Sequence, residues 1–368
     1  MEYSSSRKSL AGKVQTVLGP IDADALGLTL THEHLFTSMT HVAKEPAESE
    51  AQAAFHVPLS MDLMGPIRYG RLLNLDDCAL NDVNAAIEEA AIFKREGGGT
   101  LVDVSSIGVG RNPQGLARVA RATGLNIVMG CSYYVEENYP PELGVEAKTE
   151  DVIVDEIVGD IFEGADGTGI GAGIIGEVGC SWPLSSTERK VLRASGRAQR
   201  ITGAALTIHP GRHPEAPGEI LEVLLGAGAN LGRTVICHMD RTLDNEDKIL
   251  ELAESGCVLE YDLFGSENSY YPWTIPVDMP NDVRRLGWLQ WLITEGFEDR
   301  IVISHDICFK HQLVRYGGHG YGHIPANVVP LMYRKGFDEE TIHNILVETP
   351  ARLLTFAPGE PQVPGAQG

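Results

Sequence analysis

The segment Leu28-Thr-Leu-Thr-His-Glu-His34 alternates apolar and polar residues and ends in two histidines spaced two residues apart. Such alternation is typical of a β-strand, and on a strand the residues i and i+2 point to the same side. His32 and His34 are therefore expected to face one compartment together. Four other largely apolar segments also end in a residue that can bind a metal. These segments are residues 173–177, 205–209, 234–238 and 301–306.

Three more strand-like runs each follow an amphipathic stretch with a helical pattern. They are residues 100–106, 126–130 and 257–263. Together with the five segments above they give eight strands that alternate with helices, which predicts a parallel sheet. Eight such units predict an α/β fold, the (β/α)8 TIM barrel, with functional residues at the C-terminal ends of the strands. An open doubly wound sheet is the less favoured alternative, because no GxGxxG motif follows a first strand.

The composition fits one large globular domain. The chain has 368 residues, of which 43% are hydrophobic and 22% are charged. We predict a single barrel domain over residues 12–357, with flexible segments at 1–11 and 358–368. The net charge of −22 argues against nucleic acid or an anionic membrane as a partner. It does not exclude an anionic small molecule, because the charge within the site decides that.

The cysteines and the N-terminal segment predict a cytoplasmic location. The six cysteines form no CxxC pair, and several lie in apolar runs, so we expect them to be reduced. Residues 1–10 are polar and lack the apolar region of a signal peptide, and no apolar run reaches the length of a membrane span.

The long segment 36–77 follows the first predicted strand and contains three prolines. Long irregular loops in compact domains are usually functional. We predict that this segment forms part of the rim or lid of the site, or alternatively a dimer contact.

Four histidines and two carboxylates at strand ends are the donor set of a two-metal hydrolytic site. His32, His34 and Asp306 are predicted to bind one metal, and His209 and His238 the other. Histidines that point into a barrel without partners would be costly, which weakens the alternative that they are ordinary core residues.

Glu177 is the predicted bridge between the metals. Two cations that lie close together repel each other, and a carboxylate can offer one oxygen to each. The alternative is a buried ion pair between Glu177 and an arginine. Asp306 has a second predicted role as the group that accepts and returns a proton. The neighbouring His305 is expected to face the opposite side and to pack or support the site.

Two arginines are predicted to bind substrate. Arg212 lies three residues after His209, and Arg241 lies three residues after His238. A guanidinium group suits a carboxylate or sulfonate, so an anionic tail on the substrate is plausible. The alternative is that Arg241 pairs with Asp240 or Glu260, and Arg212 with a loop carboxylate.

His319 lies in a glycine-rich loop after the eighth strand and is a further candidate for substrate contact. A loop that is braced by its own hydrogen bonds is the alternative. Asp262, at the end of the seventh strand, is expected to support a metal ligand through a hydrogen bond.

The sequence resembles the amidohydrolase superfamily and, within it, the phosphotriesterase family, in particular its phosphotriesterase-related branch. The resemblance extends from about Gly12 to Phe356. The motifs that carry it are residues 30–34 (LTHEH), 174–184 (IIGEVGCSWPL), 208–212 (IHPGR), 238–242 (HMDRT), 259–265 (LEYDLFG) and 316–321 (YGGHGY).

The resemblance implies a binuclear, usually zinc, centre with the ligands named above. Most of the family bridges its two metals with a carboxylated lysine, whereas this sequence has Glu177 there, as the branch does. By resemblance, Tyr133 matches an aromatic residue that orients the substrate carbonyl, with packing at the rim as the alternative. A homodimer is implied by analogy alone.

The implied activity is metal-dependent hydrolysis, in which a metal-bridging hydroxide attacks the carbonyl of a small N-acyl compound with an anionic tail. Asp306 and Glu177 are the predicted catalytic residues. Animal members of the branch are associated with N-acetyltaurine hydrolysis. The alternative is a lactonase or carboxylesterase with weak phosphotriesterase activity. Optimised phosphotriesterases carry further His and Asp residues where this sequence has Arg241 and Leu263. A binding protein without activity is disfavoured, because all six ligands are present.

Overall fold

The computed structural model describes residues 10–40, 43–271 and 277–358, apart from the side chain of Glu50. The predicted flexible segments 1–11 and 358–368 fall almost wholly outside these residues, so they stay predictions.

Eight parallel strands form one sheet, and each strand lies beside its neighbour in the chain. Hydrogen bonds from Asp306 N to the carbonyl of His32 (3.2 Å) and from His32 N to Ser304 Oγ (3.1 Å) link the last strand to the first. The predicted (β/α)8 barrel is confirmed. Its strands are β1 (Leu28–Glu33), β2 (Gly98–Asp103), β3 (Asn126–Cys131), β4 (Ile174–Gly179), β5 (Ala205–His209), β6 (Thr234–Ile236), β7 (Val258–Tyr261) and β8 (Ile301–Ile303).

Helices follow most of the strands and cover the outside of the barrel. The longest begins at a capping box, in which Ser185 and Glu188 satisfy the first backbone groups of Ser186–Thr202. In the described part of the chain, no helix is long and apolar enough to cross a membrane. The α-helices are Ser49–His56, Met64–Arg68, Val83–Arg95, Pro113–Thr123, Glu150–Gly159, Ser186–Thr202, Ala216–Gly226, Met239–Thr242, Glu246–Glu254, Asp282–Thr294, Val329–Arg334, Glu339–His343 and Thr349–Leu354.

The strands bury both of their faces, which is why they are almost continuously apolar. Leu101 and Ile127 belong to the main core that the helices share, whereas their neighbours Val102 and Val128 belong to a smaller cluster that includes Val14. Val14 lies on a two-stranded hairpin, Val14–Thr16 with Gly19–Ile21.

This hairpin lies at the N-terminal ends of the barrel strands, since Val17 N donates to the carbonyl of Ile127 (2.9 Å) near the start of β3. At the same end, Gly12 N donates to the carbonyl of Phe356, and Phe356 N donates to the carbonyl of Lys13, both at 2.9 Å. The two ends of the domain are thus joined on the side away from the strand C-termini.

The segment 36–77 is more regular than predicted. It contains the two short helices Ser49–His56 and Met64–Arg68, and the short strand Thr37–Ser38, which pairs with Ala79–Leu80. The segment contributes Met39, Ile67 and several further residues to a cavity at the C-terminal end of the barrel. The predicted role at the rim is therefore confirmed, while the dimer contact stays a prediction.

Candidate metal centre

Glu177 lies at the centre of the four predicted histidine ligands. Its Oε2 atom is 2.9 Å from Nδ1 of His209, 3.5 Å from Nε2 of His32 and 3.6 Å from Nε2 of His238. Its Oε1 atom is 3.3 Å from Nε2 of His34. Oε1 thus faces His34, and Oε2 faces the other three histidines, so the carboxylate contacts the candidate ligands of both predicted metals.

Asp306 completes the cluster from β8. Its Oδ1 atom lies 3.3 Å from Nε2 of His34 and 3.7 Å from Nε2 of His32, and its Oδ2 atom lies 3.8 Å from Nδ1 of His238. Its side chain is 17% exposed, in contrast to the nearly inaccessible Glu177. Asp306 is therefore the carboxylate that an incoming molecule can reach.

Three of the histidines are oriented by a hydrogen bond at the ring nitrogen that points away from Glu177. Such bonds fix the ring and its tautomer in metal sites. The support predicted from Asp262 is present, whereas the other two partners were not anticipated. The pairs are His32 Nδ1 with Glu260 Oε2 (3.3 Å), His34 Nδ1 with Ser105 Oγ (2.9 Å) and His238 Nδ1 with Asp262 Oδ1 (2.9 Å).

The backbone is unusual where the ligands emerge from the strands. His238 and Asp306 both adopt left-handed conformations, with φ values of 56° and 51°, which residues other than glycine rarely do. Gly176, which precedes Glu177, has φ 124°, and a Cβ atom there would lie 2.3 Å from the carbonyl oxygen of Thr207. A side chain at position 176 would therefore clash with the neighbouring strand.

Glu33 holds the end of β8 in place, a role that the sequence did not reveal. Its Oε1 atom accepts hydrogen bonds from Ser304 Oγ (2.8 Å) and from both N (3.0 Å) and Nδ1 (2.7 Å) of His305. Its Oε2 atom accepts from N of Ile307 (3.2 Å). These bonds flank Asp306 on both sides. They also explain why His305 supports the site and is not a ligand, as predicted.

The charges of the cluster favour a cation. Burial would raise the pKa of Glu177 and Asp306, but the surrounding histidines lower the pKa of both carboxyls. Burial would lower the pKa of His34, but Asp306 and Glu177 raise it to about 10. Burial and the nearby His238 lower the pKa of His209 to about 3. Anionic carboxylates therefore draw positive charge into the centre, which a bound metal would supply in place of a proton on His34.

The residues fit divalent metals. Nε2 of His32 is completely buried and has no hydrogen-bond partner among the described residues, which is costly for a polar atom. Groups of potential ligand atoms within 4.8 Å of one another include His32 with His34 and Asp306, and His32 with Glu177 and His238. Imidazole and carboxylate donors suit zinc and similar ions. A bound metal would give the orphaned nitrogen its partner.

A cavity of about 120 Å³ opens above the centre. His34, Glu177, His209 and Asp306 form its floor, and loops that follow several strands form its walls. A small molecule in this cavity would contact the cluster directly.

The model of the phosphotriesterase family matches residues 12–354. This chain belongs to the phosphotriesterase family. Proteins named N-acetyltaurine hydrolase are 43% identical in Xenopus tropicalis, over 95% of this chain and 99% of that protein, and 42% identical in Dictyostelium discoideum, over 94% and 98%. The human protein of that name is 43% identical over 95% of this chain and 99% of its own length.

Solved structures agree with this assignment. A resiniferatoxin-binding protein from Rhodobacter sphaeroides has a TM-score of 0.88 at 35% identity, and covers 93% of this chain and 95% of its own. A lactonase from Listeria monocytogenes has a TM-score of 0.74 at 25% identity, and the match covers 94% of this chain and 99% of the lactonase. The phosphotriesterase homology protein from Escherichia coli, with phosphate in its active site, has a TM-score of 0.73 at 27% identity. The match covers 90% of this chain and 99% of that protein. The chain is a hydrolase with the barrel of this family.

The two predicted substrate arginines differ in position within this phosphotriesterase-family hydrolase. Arg212 lines the cavity, and its guanidinium carbon lies 5.8 Å from the centroid of the Tyr271 ring. Arg241 lies at the same distance from that ring, but it is only 4% exposed, and it donates to the carbonyl of Pro210 (3.1 Å) behind His209. Arg241 therefore does not line the cavity as expected. The helix Met239–Thr242, which begins directly after the left-handed His238, holds its Nη2 atom 3.2 Å from Nε2 of His209.

The ion pairs considered as alternatives for Arg241 are not present. Asp240 instead pairs with the buried Arg285, and Glu260 hydrogen-bonds to Thr31 and contacts His32. Tyr271, which lies against both arginines and lines the cavity, was not anticipated.

Tyr133 does not face the cavity, so its predicted substrate role is wrong. Its hydroxyl donates to Glu156 (2.6 Å) and accepts from Lys148 (2.9 Å) on the outside of the barrel. Ser132 has a left-handed φ of 83°, which changes the direction of the chain after β3. The next residue, Tyr134, lines the cavity instead, with its hydroxyl 3.3 Å from Nδ1 of His209.

His319 also lies away from the cavity, which contradicts its predicted contact with substrate. Its ring centroid is 5.6 Å from those of His305 and His323, and it packs against the backbone of Gly265. The backbone turns at Gly320 (φ 66°), and the loop folds back onto the barrel. The alternative of a braced loop is thus the one that the structure supports.

Proposed function

We propose that this hydrolase cleaves the amide bond of small N-acyl compounds whose amine half carries a sulfonate or carboxylate, with N-acetyltaurine as the model substrate. The observation that supports this proposal most directly is the position of Arg212, a cation on the cavity wall three residues beyond His209. The relatives named N-acetyltaurine hydrolase, at 42–43% identity over nearly the whole chain, support the same substrate class.

The proposed cofactor is a pair of divalent ions, with zinc as the first candidate. His32, His34 and Asp306 would hold one ion, and His209 and His238 the other, with Glu177 between them. When bound, such ions supply Lewis-acid activation of the scissile carbonyl and of the attacking water.

The chain's own residues account for the remaining steps. Arg212 binds the anionic tail, and Tyr134 faces the carbonyl. Burial and the charge of Glu177 raise the pKa of Tyr134 well above its usual value, so its hydroxyl remains a donor. Asp306 takes a proton from the attacking water and delivers it to the amide nitrogen, since an amine leaves poorly as an anion. The products are a carboxylate and an ammonium compound.

A lactonase or carboxylesterase is the second candidate. The same cluster would hydrolyse an ester, and the Listeria monocytogenes lactonase shares the barrel at 25% identity. Leu263 lines the cavity. This apolar residue disfavours an optimised phosphotriesterase, since such an enzyme carries a polar residue there.

We further infer a reducing compartment such as the cytoplasm. All six cysteines are free, and five of them are buried.

The test is hydrolysis by the zinc-loaded protein of N-acetyltaurine, other N-acyl amino acids, several lactones and one phosphotriester, followed by mass spectrometry. We expect preferential cleavage of the anionic N-acyl compounds. Asp306→Asn should keep most of its metal but lose about 100-fold or more of the rate, the usual contribution of a general acid–base group. Cleavage of lactones with untouched amides would establish the second candidate instead.

A further inference from the structure

One side of the cavity carries six apolar side chains beside five polar ones, which are Arg68, Asn74, Asp77, His311 and Gln312. Its members come from the loops after β8, β1 and β2, three strands that are neighbours in the barrel. We call this side the apolar wall, which consists of Met39, Ile67, Leu72, Leu73, Val109 and Phe309.

The polar side chains near the apolar wall are already bound by the protein. Asp77 accepts from N (2.8 Å) and Nδ1 (2.8 Å) of His311, and Asn74 donates to two backbone carbonyls. Gln312 accepts from two backbone N–H groups through Oε1, and Arg68 donates to the carbonyl of Gly317 (2.7 Å). This side of the cavity therefore offers a ligand mainly apolar surface.

Two arginines line the cavity: Arg68 is bound to the carbonyl of Gly317 on the side of the apolar wall, and Arg212 lies on the other side. Arg212 follows β5, and in an eight-stranded barrel β5 is opposite β1. The metal cluster lies between them, because it takes Glu177 from β4 and Asp306 from the end of β8. Arg212 and the apolar wall thus lie on opposite sides of the barrel axis.

An amide substrate has two substituents that leave the carbonyl carbon and nitrogen in roughly opposite directions. If Arg212 binds the anionic tail of the amine half, the acyl half points toward the apolar wall. The methyl group of an acetyl substituent is small and would contact only a fraction of six large side chains.

We propose that the preferred substrates carry an unbranched acyl chain of about four to eight carbons, which binds along the apolar wall. This inference rests on the proposed amidase function and specifies its substrate class. In the reaction, water adds to the carbonyl carbon, the C–N bond breaks, and the amine leaves with the proton. The products are a medium-chain carboxylate and an amine with an anionic tail.

The test is kcat/KM for N-acyl taurines with acyl chains of two, four, six and eight carbons, measured with the zinc-loaded full chain. Burial of one methylene stabilises binding enough for about a four-fold gain. We expect the hexanoyl compound to exceed N-acetyltaurine by tens of fold or more. A decline of kcat/KM from the acetyl compound onward would overturn the inference and leave the amidase function intact.

Leu73→Trp fills part of the apolar wall and should lower kcat/KM for the hexanoyl compound far more than for the acetyl compound. The matched control is Leu225→Trp, on the outer helix Ala216–Gly226, where the leucine is 58% exposed. This control should leave the whole series unchanged. An equal loss across the series in Leu73→Trp would contradict the assignment of the wall.

Calorimetric binding of acetate, butyrate, hexanoate and octanoate to the zinc-loaded protein separates the two claims. If no N-acyl taurine is cleaved but affinity rises about four-fold per methylene, the amidase function is wrong and the apolar subsite stands. If no N-acyl taurine is cleaved and the affinity for the carboxylates does not rise with chain length, both the amidase function and the apolar subsite are wrong.

Discussion

Glu33 lies between two predicted metal ligands in the sequence, yet its side chain faces away from them and holds the end of β8. Strand alternation already places it on the opposite face from His32 and His34. A carboxylate buried there must have partners, which is a signal that the sequence contained. The identity of those partners, 271 to 274 residues away, could not be read from the sequence.

Glu33→Gln should lower kcat by about 100-fold, because a carboxamide cannot accept all of these bonds and Asp306 would shift from its reactive position. Zinc affinity should fall modestly as well, since Asp306 is a proposed ligand, while most of the metal stays bound as in Asp306→Asn. Steady-state kinetics and titration with zinc would measure the two effects.

The matched control is Glu89→Gln. Glu89 is also buried and accepts backbone N–H bonds from Val314 and Arg315, both at 3.0 Å, but it lies outside the cluster. Both variants should lose stability. A loss of kcat and zinc affinity in both, or in neither, would contradict the positioning role of Glu33.

Glu177→Gln should bind clearly less metal, because an amide neither carries the charge nor offers two equivalent oxygens to two cations. Elemental analysis of the purified variant beside Asp306→Asn would measure this. Metal content equal to that of the unaltered protein would remove the bridging role of Glu177.

Strands were predicted better than loops. The alternating or continuous apolar patterns identified all eight barrel strands, because burial fixes which residues occupy a strand. The candidate ligands at the strand ends lie close together, as these patterns led us to expect. Beyond the strand ends, the side-chain directions depend on single backbone angles. Ser132 has φ 83°, and nothing in the sequence signals that this serine would turn Tyr133 outward and leave Tyr134 in the cavity.

The helix Asp282–Thr294 is tied to the loops at the mouth by its first residue. Asp282 is buried, lies 2.7 Å from Nε2 of His323 and pairs with Arg285 at 2.8 Å. Burial would raise the pKa of Asp282, but the hydrogen bond with His323 and the charge of Arg285 lower it from 3.8 to about 2. This carboxylate therefore contributes stability that is present above about pH 4 and is lost as the pH falls through about 2.

Asp282→Asn should lower the free energy of unfolding at neutral pH by about 2 kcal/mol, from the size of the pKa shift. It should also flatten the dependence of stability on pH between about 4 and 2. Urea unfolding at a series of pH values would measure both. An unchanged slope in that range would mean that Asp282 does not carry this dependence.

At the scale of the whole molecule, the candidate ligands come from strands that extend from β1 to β8. The sequence predicted the barrel and the clustering of these six residues, because the fold itself brings the C-terminal strand ends together. It did not predict the apolar wall, since those residues come from distant loops whose only common feature is their place around the mouth.

Metal binding is therefore expected to stabilise the entire barrel. A ligand that binds only the folded state at about 100 times its Kd adds about 2.7 kcal/mol to the free energy of unfolding. Thermal unfolding of the metal-stripped and zinc-loaded protein would measure the difference, and Glu177→Gln should show a smaller one. Identical unfolding curves with and without zinc would argue against a shared centre across the barrel.

The backbone of Gly12 and Lys13 pairs with that of Phe356, so the first and last parts of the barrel domain meet far from the mouth. A circular permutant that joins these two parts by a short linker and opens the chain in an outer loop would keep every strand beside its present neighbours. Insertions and substitutions in the loops at the mouth would likewise leave the pairing of Gly12 and Lys13 with Phe356 unchanged. The architecture thus lets specificity diverge at one end of the barrel while the other end preserves the fold.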